Sequence, residues 1–359
     1  MMKNRLLQFG IIFIIILSGC SQSTELIRQD PPSTNNDVNY SIIYYIHADS
    51  DYLYHKSNGV AVKNNSKVLD TAFKVAETAN AGEVFIFYQR SERKFLGIFP
   101  RKSSRLYHYQ NGRQINRIKY RHSDKNEPFL TTESDLLNQL RHPALSKANQ
   151  NYFLFFGHEI PLETDQVYHQ SLPGIDVNVE SFAQGIQRFL LNENDRFSLV
   201  VLSTCNNGTP QMAELLMPFT DSMLASPQNL HLSHIDTDKL ALLENAPDIS
   251  TVELSHLIAE QTFQRLAATV RTTITLTYYN FEDVQSYIDS LTSLILTKNS
   301  SMPTVQFQDN VDCSPLFFPN SALFGEGTAT WHKPAQFGRQ TGESTHSGWG
   351  CKPIAINPE

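Results

Sequence analysis

Four short runs in this chain, residues 41–47, 83–88, 152–156 and 198–202, are almost entirely apolar, and they constrain the fold more than any other feature. A strand with one wet face alternates apolar and polar residues. These runs do not, so both of their faces must be covered. Between them lie segments with helical spacing. Residues 67–79 carry Val68, Ala72, Phe73, Val75 and Ala76 on one face. Residues 131–140, 179–191, 252–268 and 281–296 also read as helices, and Thr209-Pro210 is a helix start, with Thr at the cap and Pro at the first position. Thr132 and Asp135 are expected to cap the 131–140 helix. Residues 221–225 and 272–278 add a fifth and a sixth strand. Fully apolar strands alternating with helices imply an α/β fold with a six-stranded, mostly parallel sheet and helices on both faces. Residues 95–99 and 105–109, with Asn111-Gly112 after them, suggest a hairpin beside that sheet. From about residue 300 the alternation stops. Pro303, Pro315, Pro319, several glycines and two cysteines mark an irregular extension.

The N-terminus is of a different kind. Lys3 and Arg5 precede a short, nearly all-apolar stretch at 9–17, and Leu17-Ser18-Gly19-Cys20 follows. A positive start, a short apolar stretch and small residues make a secretory signal. The stretch is short of the roughly 20 residues a bilayer span needs. Its ending resembles the bacterial lipobox, which implies cleavage after residue 19 and lipidation of the Cys20 thiol. By the same resemblance, Ser21 rather than Asp after the lipidated position favours the outer membrane. The expected organisation is a signal peptide at 1–19, a polar, Pro-containing lipidated tether at 20–39, an α/β domain at 40–300 and a loop-rich extension at 301–359.

Export places the chain in an oxidising setting. Apart from Cys20, the cysteines are Cys205, Cys313 and Cys351, an odd number. The simplest pairing joins Cys313 to Cys351 and leaves Cys205 as a free thiol. Net charge is −7, and removal of residues 1–19 leaves 27 basic against 36 acidic residues, a net of −9. With no long Lys/Arg run, nucleic acid is excluded as a partner. His55, His122 and His234 show no metal-ligand spacing, so neither metal nor cofactor is implied. His47-Ala48-Asp49-Ser50-Asp51 at the end of the first strand reads as pocket lining or as a plain loop. No Gly-x-Ser-x-Gly elbow is present.

In open α/β sheets reactive groups collect beyond the carboxyl ends of strands. Two such ends carry reactive side chains: Phe155-Phe156-Gly157-His158 and Leu202-Ser203-Thr204-Cys205. One helix separates them, and a right-handed crossover makes the two strands neighbours. His158 precedes Cys205 by 47 residues, the order and approximate spacing of the caspase dyad. A thiolate is the nucleophile, and a close imidazole favours it. The backbone amides of Glu159 and Cys205 are the candidate oxyanion donors.

These two segments carry a family resemblance. Phe155-Phe156-Gly157-His158 resembles the strand-end histidine motif of clostripain-like cysteine peptidases, in the caspase-fold clan. Ser203-Thr204-Cys205, with Gln211, Ala213 and Glu214 and then Met223-Leu224-Ala225-Ser226, resembles that family's nucleophile segment and next strand. The resemblance follows the element order from about 40 to 300. It implies a caspase-like fold and a cysteine endopeptidase acting on protein or peptide substrate, with His158 as acid/base and Cys205 as nucleophile. Two positions depart from the pattern. Glu159 stands where the family has Gly. Ser203 stands where it has an Asp that helps recognise a basic substrate side chain, and Asp236 is the candidate replacement in that pocket. The caspase pentapeptide around the Cys is absent, so Asp specificity is not implied. The opposing reading is a catalytically degenerate caspase-fold lipoprotein that acts as an envelope binding module. A structural envelope lipoprotein of unrelated α/β fold would instead hold His158 and Cys205 apart.

Overall fold

The computed structural model describes residues 38–351 except 50–52, 56–60, 92, 97–98, 123–125, 142–147, 164–167, 170, 231–233, 247, 299–309, 314–326 and 343. The expected signal peptide, Cys20 and nearly all of the tether lie outside the described residues.

One nine-stranded sheet organises the chain. In chain order its strands are β1 (Tyr40–Ala48), β2 (Gly82–Arg90), β3 (Ser104–Gln110), β4 (Arg113–Tyr120), β5 (Gln150–Phe156), β6 (Leu199–Ser203), β7 (Ser222–Ala225), β8 (Ile274–Asn280) and β9 (Thr328–Lys333). Their spatial order is β9-β8-β7-β6-β5-β1-β2-β3-β4. The five central strands, β7-β6-β5-β1-β2, are parallel. An antiparallel pair closes each side, β8 and β9 at one edge and β3 and β4 at the other.

The central strands are apolar because both faces are buried. On β1, Ile42, Tyr44 and Ile46 point to one core, while Ile43 and Tyr45 point to the other. The first core is covered by α1 (Asn64–Thr78) through Val68, Ala72, Val75 and Ala76, and by α5 (Thr251–Thr269) through Leu254, Ile258, Ala259 and Leu266. The second is covered by α2 (Thr131–Leu140), α3 (Val179–Gln187), α4 (Pro210–Leu216) and α6 (Phe281–Lys298). The aromatics Phe129, Phe155 and Phe182 interlock there. Each such buried ring contributes about 1.5–3 kcal/mol by its removal from water.

All six expected strands are in the sheet, and three more join it. The hairpin region splits. Arg93–Phe95 and Phe99–Arg101 form a ribbon of their own, whereas β3 pairs with β2 and brings β4 with it. The irregular extension supplies β9, paired in register with β8. Its residues are all only partly buried, so a strand at this edge carries none of the fully apolar signature of the centre. Helix α2 begins differently from expectation. Leu130 precedes it with φ 64° and no side-chain cap, and the Thr132 hydroxyl donates to Glu127 instead. At α4, Thr209 does accept from the Met212 amide, with Pro210 next.

Cys313 and Cys351 are bonded, across 38 residues of sequence. Between them Trp349 is buried against Tyr279 and Tyr287. Cross-linking a loop of this length stabilises by roughly 4 kcal/mol in the chain-entropy account. Replacing both cysteines by serine is therefore expected to lower unfolding free energy by roughly 2–5 kcal/mol in urea titration. A loss under 1 kcal/mol would mean that Trp349 and β9 hold the extension without the bond.

Candidate active site

The register of β5 and β6 builds the site. Phe156 pairs with Ser203, and the Gly157 amide continues the ladder to the Ser203 carbonyl at 3.4 Å. His158 and Cys205 each lie two residues beyond that pair, so they stand at one level on the carboxyl edge of the parallel centre. His158 is exposed and Cys205 half-buried. Gly157 is needed for closeness: a Cβ there would sit 2.7 Å from the Phe155 ring and 2.8 Å from the Tyr168 hydroxyl. That hydroxyl donates to the His158 carbonyl at 3.2 Å.

Asparagines join the two strand-end loops. Asn207 is buried. Its amide oxygen accepts from the Ile160 N–H (2.9 Å) and the Thr204 hydroxyl (2.7 Å), and its amide nitrogen donates to the Ile160 carbonyl (3.0 Å). Asn206 donates from Nδ2 to the Glu159 carboxylate at 2.6 Å. It adopts φ 56°, a left-handed conformation that Asn tolerates better than most residues. The C-terminal segment braces this loop from outside. Asn310 Nδ2 donates to the Asn206 carbonyl (2.8 Å), and the Gly350 amide donates to the Gly208 carbonyl (2.9 Å).

The Cys205 sulfur has polar neighbours of its own. It lies 3.1 Å from Asn229 Oδ1, and the Leu230 amide donates to it at 3.3 Å. The thiol is thus a donor toward Asn229 and an acceptor from Leu230. Partial desolvation pushes the His158 imidazole down to about 4, so it is neutral at physiological pH and its ring can accept a proton.

The two residues expected to form a substrate pocket sit otherwise engaged. Ser203 is buried on the α1/α5 face. Its hydroxyl accepts from the Ile235 amide (2.8 Å) and lies 3.3 Å from His234 Nδ1. Asp236 is held by Arg265 Nε at 2.6 Å, and Arg265 also donates to the His234 carbonyl. Sequence reading missed Asn206, Asn207, Asn229, Asn310 and Tyr168. Asn206-Asn207-Gly208 directly after Cys205 was the available signal, since consecutive Asn residues before Gly mark a tight turn.

A second polar cluster lies on the α2/α3 face, beyond the end of β1. It contains His47, Asp49 and His169, all buried, with His122, Glu127 and Glu133 beside them. Burial is the chief cause that pushes His169 down to about 4, as it does His234, and it drives His47 well below its ordinary range.

The comparisons fit this architecture. No protein-family model matches the sequence, and no curated protein resembles it significantly in sequence. Solved structures do resemble the fold. An inactive zymogen C11 protease from Parabacteroides distasonis aligns over 89% of this chain and 93% of its own, with TM-score 0.57 and 11% identity. A secreted C11 cysteine protease from Bacteroides thetaiotaomicron, in complex with an irreversible peptide inhibitor, aligns over 89% and 90%, with TM-score 0.55 and 12% identity. The chain is thus a caspase-like α/β protein. Within that class its fold is that of the clostripain-like, C11, cysteine proteases.

His47, His169 and His234 are neutral in the folded state, whereas an unfolded imidazole takes up a proton below about 6.5. Their stabilising contribution is complete above that value and falls as pH drops below it, by about 1.4 kcal/mol per pH unit for each ring until that ring protonates in the folded state. Thermal unfolding at pH 7 and pH 5 is expected to show a lower Tm at pH 5. An unchanged Tm would show that these rings bind protons equally in the folded and unfolded states.

Proposed function

We propose that this protein is a lipid-anchored cysteine endopeptidase that hydrolyses peptide bonds through His158 and Cys205. The observation that carries the reading is the level placement of His158 and Cys205, two residues past the Phe156–Ser203 pair. On this reading the neutral His158 imidazole takes the Cys205 proton, and the thiolate attacks the scissile carbonyl. The backbone amides of Cys205 and Glu159 stabilise the oxyanion. His158 then returns the proton to the leaving amine, and water hydrolyses the thioester. The link from Asn206 to Glu159 supports the role of both loops, because it fixes the backbone that would carry the oxyanion donors. The fold's likeness to a protease complexed with a peptide inhibitor supports a peptide substrate.

The test is labelling of the full chain in detergent with peptidyl acyloxymethyl ketones that vary at the cleavage position. Labelling is expected in wild type and lost, by at least about 100-fold, in Cys205→Ala and His158→Ala. Equal labelling of Cys205→Ala would sink the dyad. Ser203 is buried and the Asp236 carboxylate is paired with Arg265, so neither supplies an unpaired acid for a basic side chain. Probes with neutral residues at the cleavage position are expected to react at least as fast as Lys or Arg probes. A strong Lys or Arg preference would return Asp236 to the pocket. Because the depressed His158 keeps its basic form in mild acid, the acid limb of the rate profile is expected to fall below pH 6.5. A midpoint at or above 6.5 would contradict that role.

The anchoring proposal rests on Lys3, Arg5, the apolar stretch and Leu17-Ser18-Gly19-Cys20. Cys20→Ser is expected to abolish incorporation of radiolabelled palmitate, and fractionation of the wild type is expected to place it in the outer membrane. Continued palmitate labelling of Cys20→Ser would remove Cys20 as the lipid site. The competing reading, a binding module with a degenerate site, is favoured by Ser203 and Glu159 both being bound to neighbouring residues. It predicts no labelling of a folded wild type by any probe.

A further inference from the structure

The cluster beyond β1 has the composition and spacing of a transition-metal site. His47 Nε2 lies 3.1 Å from His169 Nδ1, and His169 Nδ1 lies 4.0 Å from Asp49 Oδ2. One ligand atom of each of the three residues lies within 4.8 Å of those of the other two. Zinc bonds to nitrogen and oxygen of roughly 2.0–2.2 Å at tetrahedral angles place donor atoms roughly 3.4 Å apart. The observed spacings bracket that value, so a slight rotation of the Asp49 carboxylate closes the set.

The surroundings suit such an ion. The side chains of His169 and Asp49 have no solvent exposure, and His47 has none either. Asp49 is already oriented from behind: its two oxygens accept from the hydroxyl (2.7 Å) and the amide (2.9 Å) of Ser171. Carboxylates held by such outer donors are the common support of metal ligands. Charge gives the second reason. A wholly buried carboxylate is costly without compensation. Among the described residues, the ion-pair partner of Asp49 is His169 at 4.0 Å, and no Lys or Arg.

We propose that His47 Nε2, His169 Nδ1 and Asp49 Oδ2 bind one divalent transition-metal ion of the zinc type, with a structural role. Two imidazoles and one carboxylate select zinc, cobalt or nickel over calcium or magnesium, which take oxygen ligands. The ligands come from two places, the end of β1 and the segment around 168–171. The ion would therefore tie the segment after His158 to the sheet. Tyr168, adjacent to the ligand His169, donates to the His158 carbonyl, so the tie would reach the loop that follows β5. The site stands on its own residues and does not depend on the peptidase reading.

Cobalt(II) binding tests this directly. The full chain carrying Cys205→Ala is used, so that neither the thiol nor a thiol–His158 pair supplies a competing site. After chelator treatment, this protein is expected to take up one equivalent of Co(II), with visible d–d bands. Zn(II) is expected to displace the bands and raise Tm. His169→Gln and Asp49→Asn in the same background are expected to lose both signals. Ser171→Ala, which removes only an outer donor, is expected to weaken binding by roughly 10–100-fold, and it serves if circular dichroism shows either ligand variant unfolded. No uptake by the folded Cys205→Ala protein would overturn the site. So would uptake unchanged by the ligand and Ser171 substitutions, or a Tm response to calcium but not zinc. Loss of metal with intact probe labelling in wild type would leave the peptidase standing, and the reverse pattern would leave the metal site standing.

Discussion

The parallel pairing of Gln150–Phe156 with Leu199–Ser203 is the constraint on which the rest of the molecule hangs. Both strands are buried on both faces, so a slip of one residue would turn Phe153, Phe155, Val200 and Leu202 out of one core and into the other. Register is therefore fixed by packing far from the edge. Once it is fixed, the residues that follow each strand have no freedom to drift relative to one another. His158 and Cys205 arrive at the same level because Phe156 and Ser203 are partners. The chemistry inherits its placement from the hydrophobic core.

A level placement is useful only if the loops beyond the strands hold still. Here polar side chains do that work. Asn207 ties the Cys205 loop to Ile160, and Asn206 ties it to Glu159. Asn310 and Gly350, brought in by the disulfide-linked end of the chain, close the same loop from outside. Glu159 has a structural partner of its own. Its carboxylate engages Asn206, while its backbone still follows His158. The residue at 203 has likewise become part of the frame, a hydroxyl that receives the Ile235 amide under His234.

The polar cluster on the opposite face obeys a different logic. It lies behind the loop after β5 rather than at the edge, and burial holds His47 and His169 neutral. Such a group costs stability unless its members satisfy one another or a ligand. Tyr168 and His169 are adjacent in sequence; Tyr168 donates to the His158 carbonyl while its ring packs on His47, and His169 meets His47 directly. One short segment therefore couples the buried cluster to the exposed imidazole.

The sequence by itself determined the parallel, doubly covered centre, because two-sided burial writes itself into every residue of a central strand. It also determined the capped start of α4 at Thr209-Pro210, which is local chemistry. It singled out His158 and Cys205, since both sit at the end of an apolar run. Only the tertiary structure decided the edges. Strand β9 is half-exposed and paired to β8 across a long interval, so nothing local marks it. The same holds for the polar contacts. His47 and His169 are 122 residues apart in sequence, and Asn310 reaches Asn206 across 104. Such partners carry no periodicity and no motif. They meet because the packing of the whole core sets the sheet order, and with it where the segments that follow the strands run.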